Sequence, residues 1–455
     1  MVYPVSPFTN ELNTATITNL NAANHSVDTS ATYNLDSLLS WLCRGPKITS
    51  IRVNTLKYDV ELVRILIKIA LEELARNRGK KCIPNMFKHA TLKDVILVES
   101  HPEAEMDLSL QEKEIIVDAA CGSAVLRGAH VFAPGVMGML AGAELGDIVS
   151  VYADISKNCK RGLPRIYECP EKVFVGNGII RMVRKEIFNS DIKPSGVAVE
   201  ITYNVSGCPT LDEHWCPVGA MLLQNIPSIV CGHVLSPAPG EVVLDMCAAP
   251  GNKTTHLAAL MENTGVLIAL DKSSNKLKRL KQRSKEFGLS STSAFECDAT
   301  KCCDQTLPAL DASSLLSHGP PFPAETFDKI LLDAPCSGLG NRPQLLNTIT
   351  DKVVRSYVPL QRKLFRNAVT LLKRGGHLVY STCTVTLDEN EGMVAWALET
   401  FNCLVLTLAT PKLGGHGWPG TKLTADQLQM LQRFGPDDSV DSIGFFIAHF
   451  TKKNV

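Results

Sequence analysis

Two cysteines stand just past short apolar runs: Cys336 in Asp333-Ala-Pro-Cys-Ser-Gly338, after Lys329-Ile-Leu-Leu332, and Cys383 in Tyr380-Ser-Thr-Cys-Thr384, after His377-Leu-Val-Tyr380. A thiolate is a soft nucleophile, so two thiols at neighbouring strand ends suggest covalent chemistry. Cysteine is also among the most buried residue types and commonly fills a core without reacting. The Pro, Ser, Thr and Asp around these two weigh against that use. Both preceding runs are short and aliphatic, as expected of parallel strands covered on both faces. In an open α/β sheet, ligands bind beyond the carboxyl ends of the strands, where both cysteines fall.

A third strand end suggests a cofactor. Glu241-Val-Val-Leu-Asp245 leads through Met246-Cys-Ala-Ala-Pro-Gly-Asn-Lys-Thr-Thr255 into the helical pattern His256-Leu-Ala-Ala-Leu-Met261. The turn lacks the several glycines that a dinucleotide pyrophosphate requires at a helix start. S-adenosylmethionine presents only a carboxylate and an ammonium there, for which the single Gly251 suffices. The next strand, Gly265-Val-Leu-Ile-Ala-Leu270, ends at Asp271, placed to accept from ribose hydroxyls; Ser293-Ala-Phe-Glu-Cys297 ends at Asp298, placed for the adenine amino group. Any one of these aspartates reads more simply as a cap or a surface charge. Three consecutive strands ending in acid make a cofactor crevice, with Cys247, Ala248, Ala249, Pro250, Gly251, Asn252, Lys253, Asp271, Asp298 and Asp333 as its expected binding residues.

Asp245-Met-Cys-Ala-Ala-Pro-Gly-Asn-Lys-Thr254, Asp333-Ala-Pro-Cys-Ser-Gly338, and Ser381-Thr-Cys-Thr384 with Glu389-Asn-Glu391 resemble the motifs of the Sun-domain RNA cytosine-5 methyltransferases. Val125-Leu-Arg-Gly-Ala-His-Val-Phe-Ala-Pro-Gly135 through Lys172-Val-Phe-Val-Gly-Asn-Gly178 resembles a PUA domain, an RNA-binding β-barrel, as in the PUA-containing branch that acts on tRNA. The resemblance covers about residues 40 to 455. It implies that Cys383 attacks carbon 6 of cytosine and that Cys336 assists release once the carbon 5 proton is gone. It further implies that Asp333 hydrogen-bonds the amino group and ring nitrogen. A free thiol titrates near 8.5, so the site should hold a cation or helix dipole to lower that value. Lys253, at the helix start, is the candidate, although a solvated first-turn lysine would look the same. Asn252 departs from the family's usual second glycine; asparagine tolerates unusual backbone angles better than most residues.

These elements require a large chain. Its 455 residues, 45% hydrophobic, suit two or three globular domains, and 46 basic against 46 acidic residues mean that nucleic-acid contact must come from local patches. The expected fold class is α/β: a Rossmann-like class I methyltransferase domain over 231–455, an RRM-like (ferredoxin-like) module over 35–108 with 201–230, and an inserted PUA barrel over 109–200. Residues 1–34, rich in Asn, Thr, Ser and Ala, read as an irregular lead-in. Ser50-Ile-Arg-Val-Asn-Thr-Leu-Lys57 reads as a strand, and Glu61 to Leu74 carries apolar residues at helical spacing. Residues 301–327 read as a surface excursion. Fifteen cysteines, an odd count, and a start lacking a basic region and apolar core place the chain in the cytoplasm with reduced thiols. No uninterrupted apolar run is long enough for a membrane span.

Arg127, Lys160, Arg161 and Asn177 are the expected RNA contacts within the PUA-like block: Arg and Lys for phosphates, Asn in a Gly-Asn-Gly loop for a base. Singly, each reads equally well as ordinary surface polarity. Lys272, Lys276, Lys278, Arg279, Lys281, Arg283 and Lys285 read as a solvated helix face. Cys208, His214 and Cys216, and Cys297, Cys302 and Cys303, lack the paired spacing of a structural zinc site, so no metal is expected. The expected partner is RNA, foremost the tRNA acceptor region with its 3′ CCA end. The competing readings are an RNA-binding protein that keeps the fold without the activity, and methylation of messenger RNA, DNA or protein. Labelled methyl transfer to tRNA separates the first, and the PUA-like block speaks against DNA or protein.

Overall fold

The computed structural model describes residues 3–8, 35–79, 82–189, 193–436 and 440–454. The expected irregularity of residues 9–34 lies outside them.

The largest sheet has eight strands. Thr292–Glu296, Val266–Asp271, Val242–Asp245, Phe327–Asp333 and Leu372–Thr382 lie side by side in that order, all parallel. Phe445–Lys452 then pairs antiparallel with Leu372–Thr382, and Leu404–Thr407 and Gln432–Phe434 pair with it in turn. The reason the central strands read as unbroken apolar runs is visible in their alternation. Leu244, Ile268, Ile330, Leu332, Leu378 and Tyr380 enter the core on one face, while Val243, Leu267, Leu331 and Val379 enter the core on the other. Both faces are covered, and each fully buried Leu, Ile or Val contributes roughly 1.5–3 kcal/mol of transfer free energy. Helices Asp351–Leu371 and Glu391–Thr400 cover the first face through Leu364, Phe365, Ala368, Met393, Val394 and Ala397. Ile226–Leu235 and Asn252–Leu260 cover the second. The strand order reverses direction at Val242–Asp245, the position where such sheets open a crevice.

A second sheet is antiparallel throughout: Met221–Leu223, Ile48–Val53, Val95–Glu99 and Met86–Lys88. Helix Val60–Asn77 lies on it with Val63, Ile67, Leu71 and Ala75 inward, four residues apart. Asp59 caps this helix, accepting from the Glu61 and Leu62 amides at 2.8 and 3.2 Å. A third, six-stranded sheet runs Val131–Phe132, Val197–Asn204, Val173–Ile180, Ile148–Asp154, Glu114–Asp118 and Val136–Met139. Its two outermost strands are joined by the short turn Ala133–Gly135, so the sheet curls until its edges meet at one corner.

Two expected boundaries fall inside elements. Residue 200 lies within strand Val197–Asn204, which belongs wholly to the six-stranded sheet, and residue 230 lies within helix Ile226–Leu235, which packs on the large sheet. Residues 301–327 are not merely a surface excursion: they contain helix Ala312–His318 and bury Cys302, Leu315 and Phe322 in the main core. Among the described residues no helix is long and apolar enough to cross a membrane.

Candidate active site

The parallel pairing of Phe327–Asp333 with Leu372–Thr382 sets Asp333 opposite Ser381. The two turns that follow are thereby brought face to face, and Cys336 Sγ lies 3.5 Å from Cys383 Sγ. Donation from the Cys336 thiol draws the Cys383 thiol below its ordinary value against the opposing effect of burial, and Lys253 assists through its charge. The same contact, with burial, holds the Cys336 proton on well above the usual thiol range. One sulfur is thus disposed to be the thiolate and the other its S–H donor.

Asp333 is gripped on both oxygens. Ser381 Oγ donates to Oδ1 at 2.8 Å and Lys253 Nζ donates to Oδ2 at 2.9 Å. Lys253 also sits over the Phe445 ring, 5.3 Å from its centroid. Burial alone would lower the Lys253 ammonium, but the Asp333 carboxylate, with the nearby Cys231 and Cys383 thiols, more than offsets it and the net shift is upward, so the cation persists. Sequence reasoning gave the tuning of the thiol to Lys253 alone; the largest effect comes from Cys336.

Lys253 is carried by the turn expected from the sequence. Gly251 has φ +105°, a conformation that favours glycine, and a Cβ there would press on Leu280 Cγ at 3.1 Å. Asn252 needs no unusual backbone angle: it is the first residue of helix Asn252–Leu260, and its side-chain oxygen accepts from Arg283. Its carbonyl accepts from the wholly buried Arg52, whose Nη2 lies 3.2 Å away and also donates to Thr255 Oγ1 at 2.6 Å. A strand of the antiparallel sheet therefore braces the first turn of this helix.

Beside the turn lies a cleft of about 490 Å³, lined in part by Met246, Cys247, Asp271, Asp298, Pro335 and Lys363. Of the ten expected cofactor residues, Cys247, Asp271 and Asp298 face this cleft, 248–251 form its adjoining turn, and Asn252 and Lys253 open the helix that follows. Ala248 is almost wholly buried in packing. Asp271 accepts from the Ala249 amide at 3.1 Å and the Ser273 amide at 2.8 Å, so it also braces the turn. Asp298 accepts from the Thr300 amide and hydroxyl at 3.1 and 2.7 Å. Lys272 and Lys276, read from sequence as part of a solvated helix face, border the cleft, whereas Arg283 is spent on Asn252. Asp245, the first of the three strand-end acids but not among the expected binding residues, is buried at the end of the central strand. Burial pushes its carboxyl up to about 7, Thr254 donates to Oδ2 at 2.8 Å, and among the described residues Oδ1 is buried with no hydrogen-bond partner. An orphaned acceptor at the strand end and two carboxylates along the rim suit a ligand carrying an ammonium and ribose hydroxyls.

The expected RNA contacts separate. Lys160 and Arg161 are exposed, and Arg161 donates to the Pro134 and Val136 carbonyls at 2.9 and 2.8 Å, fixing the corner of the curled sheet. Arg127 reaches the Pro343 carbonyl at 3.3 Å, on the loop after Cys336. Asn177 corrects the sequence reading: it lies within strand Val173–Ile180, is 3% exposed, receives the Ser150 hydroxyl at 3.0 Å and donates to the Ser109 carbonyl at 2.8 Å. Its amide is consumed inside the fold. Among the described residues, the His, Cys and carboxylate groups placed closely enough to hold an ion are Asp94, His233 and His256, not the cysteine groupings weighed from sequence. Asp94 Oδ1 lies 2.8 Å from His233 Nε2 and Oδ2 lies 3.0 Å from His256 Nε2, the geometry of a carboxylate held between two imidazoles.

Residues 232–451 match the family described as 16S rRNA methyltransferase RsmB/F. The mouse and human proteins named tRNA (cytosine(72)-C(5))-methyltransferase NSUN6 are 46% and 44% identical over 440 residues, covering 92% of this chain and 90% and 91% of theirs. The crystal structure of NSun6 from Pyrococcus horikoshii with SFG superposes with a TM-score of 0.72 at 28% identity, covering 99% of each chain. By fold, by motif and by these matches, the chain belongs to the RsmB/F, or Sun-domain, family of RNA cytosine-5 methyltransferases.

Proposed function

We propose that the protein transfers a methyl group from S-adenosylmethionine to carbon 5 of a cytosine in RNA through a covalent bond between Cys383 and carbon 6. The observation that carries this reading is the pair of sulfurs 3.5 Å apart beside the Lys253–Asp333 ion pair. Carbon 5 of cytosine is a weak nucleophile. Attack by the Cys383 thiolate on carbon 6 pushes an electron pair toward the ring nitrogen and makes carbon 5 enamine-like. Asp333, held by Ser381 and Lys253, faces the amino group and ring nitrogen and stabilises the charge that develops there. Bound in the cleft beside Cys247, Gly251, Asp271 and Asp298, the cofactor supplies an electrophilic methyl group. When the carbon 5 proton passes to a solvent base, the ring double bond reforms, the sulfur–carbon bond breaks and its electron pair returns to Cys383; Cys336, at 3.5 Å, assists that release through its S–H. The chemistry calls for no metal.

The substrate in this reading is tRNA near the acceptor 3′ CCA end, in the cytoplasm. The names of the mouse and human relatives support tRNA as the substrate, and the curled six-stranded sheet, read as a PUA domain, presents Lys160 and Arg161 to solvent for its end. The test is transfer of labelled methyl groups to tRNA and to the same tRNA lacking CCA. Incorporation that requires CCA is expected; equal incorporation into both removes the CCA assignment, and none into any RNA removes the activity.

A further inference from the structure

Hydrogen bonds that join the two thiol-bearing turns lie outside the reaction as derived so far. Ser337 follows Cys336 and Thr384 follows Cys383, and their hydroxyl oxygens are 2.7 Å apart. Both belong to a single chain of donors ending on Glu389, which is wholly buried. Ser337 Oγ donates to Glu389 Oε1 at 2.5 Å, so its only proton is committed there and Thr384 must be the donor in the bond between the hydroxyls. Glu389 Oε1 also receives Thr386 Oγ1 at 3.0 Å, and Oε2 receives the Ser337 amide and Gln361 Nε2, each at 3.0 Å. Every donor around this side chain points inward, which an ionised carboxylate satisfies and a neutral amide of the same shape cannot.

We propose that Glu389, Ser337 and Thr384 form a clasp that holds the two cysteine turns in register, making Glu389 a positioning residue for the release step. The inference rests on the cytosine-5 reading above. Glu389 has no exposed surface and does not meet the substrate; it fixes the peptide immediately after Cys336. The hydroxyl pair then ties that peptide to the one after Cys383. With the clasp open, Cys336 swings relative to Cys383, which loses both its S–H donor and its partner in release. The adduct with RNA then outlives its normal span.

The test uses Ser337→Ala and Thr384→Val, which cut the chain from either side, Ser337→Thr, which keeps the hydroxyl, and Glu389→Gln, which keeps the shape. Two quantities are read on the full-length protein: the lifetime of the protein–RNA adduct on a denaturing gel, and the pH midpoint for alkylation of Cys383 followed on its own peptide by mass spectrometry. Expected are an adduct lifetime about ten-fold longer, equivalent to about 1.4 kcal/mol in the release barrier, and an upward shift of the midpoint in Ser337→Ala and Thr384→Val. Ser337→Thr should return both toward wild type. Folded Ser337→Ala and Thr384→Val proteins with wild-type lifetime and midpoint overturn the clasp, whatever their turnover, because a merely structural role would change stability and neither readout. Should Glu389→Gln fail to fold, the two hydroxyl variants decide alone. A wild-type protein that transfers no labelled methyl group to any RNA refutes the cytosine-5 reading instead, and the midpoint shift then judges the clasp separately.

Discussion

Replacing Cys336 with alanine should slow two steps, formation of the adduct and its release, and both effects follow from one 3.5 Å contact. The Cys336 thiol is the largest influence drawing Cys383 toward its thiolate. A hydrogen bond to a charged group contributes about 1.5–3 kcal/mol, and a thiol is a weak donor, so the lower end applies. In Cys336→Ala the Cys383 thiol should therefore move back up and its thiolate become scarcer, and since the thiolate is the reacting form, attack on the ring should slow by up to about ten-fold, the rate equivalent of that lost bond. Release loses its assisting group altogether. The adduct should thus form slowly and then persist, appearing as a protein band shifted on a denaturing gel that grows over a time course in which wild type shows little. Raising the pH should restore the rate of adduct formation, by returning Cys383 to its thiolate, without restoring release. An adduct that forms as in wild type and decays as in wild type would refute the release role. An alkylation midpoint for Cys383 unchanged by the substitution would refute the S–H donation.

Cys383→Ala should abolish both turnover and adduct, and retained activity would reverse the assignment of nucleophile; methyl transfer assayed beside the gel decides it. Lys160→Glu, at an exposed position of the curled sheet, should weaken RNA binding and reduce the slope of log affinity against log salt by about one while leaving S-adenosylhomocysteine affinity unchanged; equal loss of both would show a structural defect. Arg161→Glu is the poorer probe, because its guanidinium holds the Pro134 and Val136 carbonyls. Burial depresses the His256 imidazole to about 4 despite the Asp94 carboxylate. The unfolded chain binds that proton from about pH 6.5 downward and the folded protein does not, so stability is full above about pH 6.5 and falls as the pH drops toward 4. The loss between pH 7 and pH 5 is on the order of 2 kcal/mol, measured as the urea midpoint at the two values; a His256→Asn protein with the same slope would assign the effect elsewhere.

The chemistry of the site was legible because it is written locally. A parallel strand buried on both faces must be a continuous apolar run, as Lys329-Ile-Leu-Leu332 and His377-Leu-Val-Tyr380 are, and the residues after it are carried to the reactive edge whatever the rest of the chain does. The same logic failed at Asn177. Flanking glycines suggested a loop, but Gly176 and Gly178 sit within a strand, where added Cβ atoms would come 2.3 Å from the Tyr203 carbonyl and 2.6 Å from a Val199 methyl. Those glycines serve close approach of the neighbouring strand, a use of glycine that composition does not distinguish from a turn. Asn252 shows the reverse: its departure from glycine looked conformational, yet the position is helical and its consequence is a bond to Arg283. What the sequence hid altogether is alignment. The bonds that fix Cys336 against Cys383 join Ser337 to Thr384 and Glu389, 47 and 52 residues away, and Lys253 meets Asp333 across 80. Hydroxyls and a carboxylate in polar turns look like solvated surface until the sheet register brings the turns together. The reactivity of the thiols belongs to their neighbourhood in space, and variants that preserve every motif residue but shift that register should lose the release step before they lose the fold.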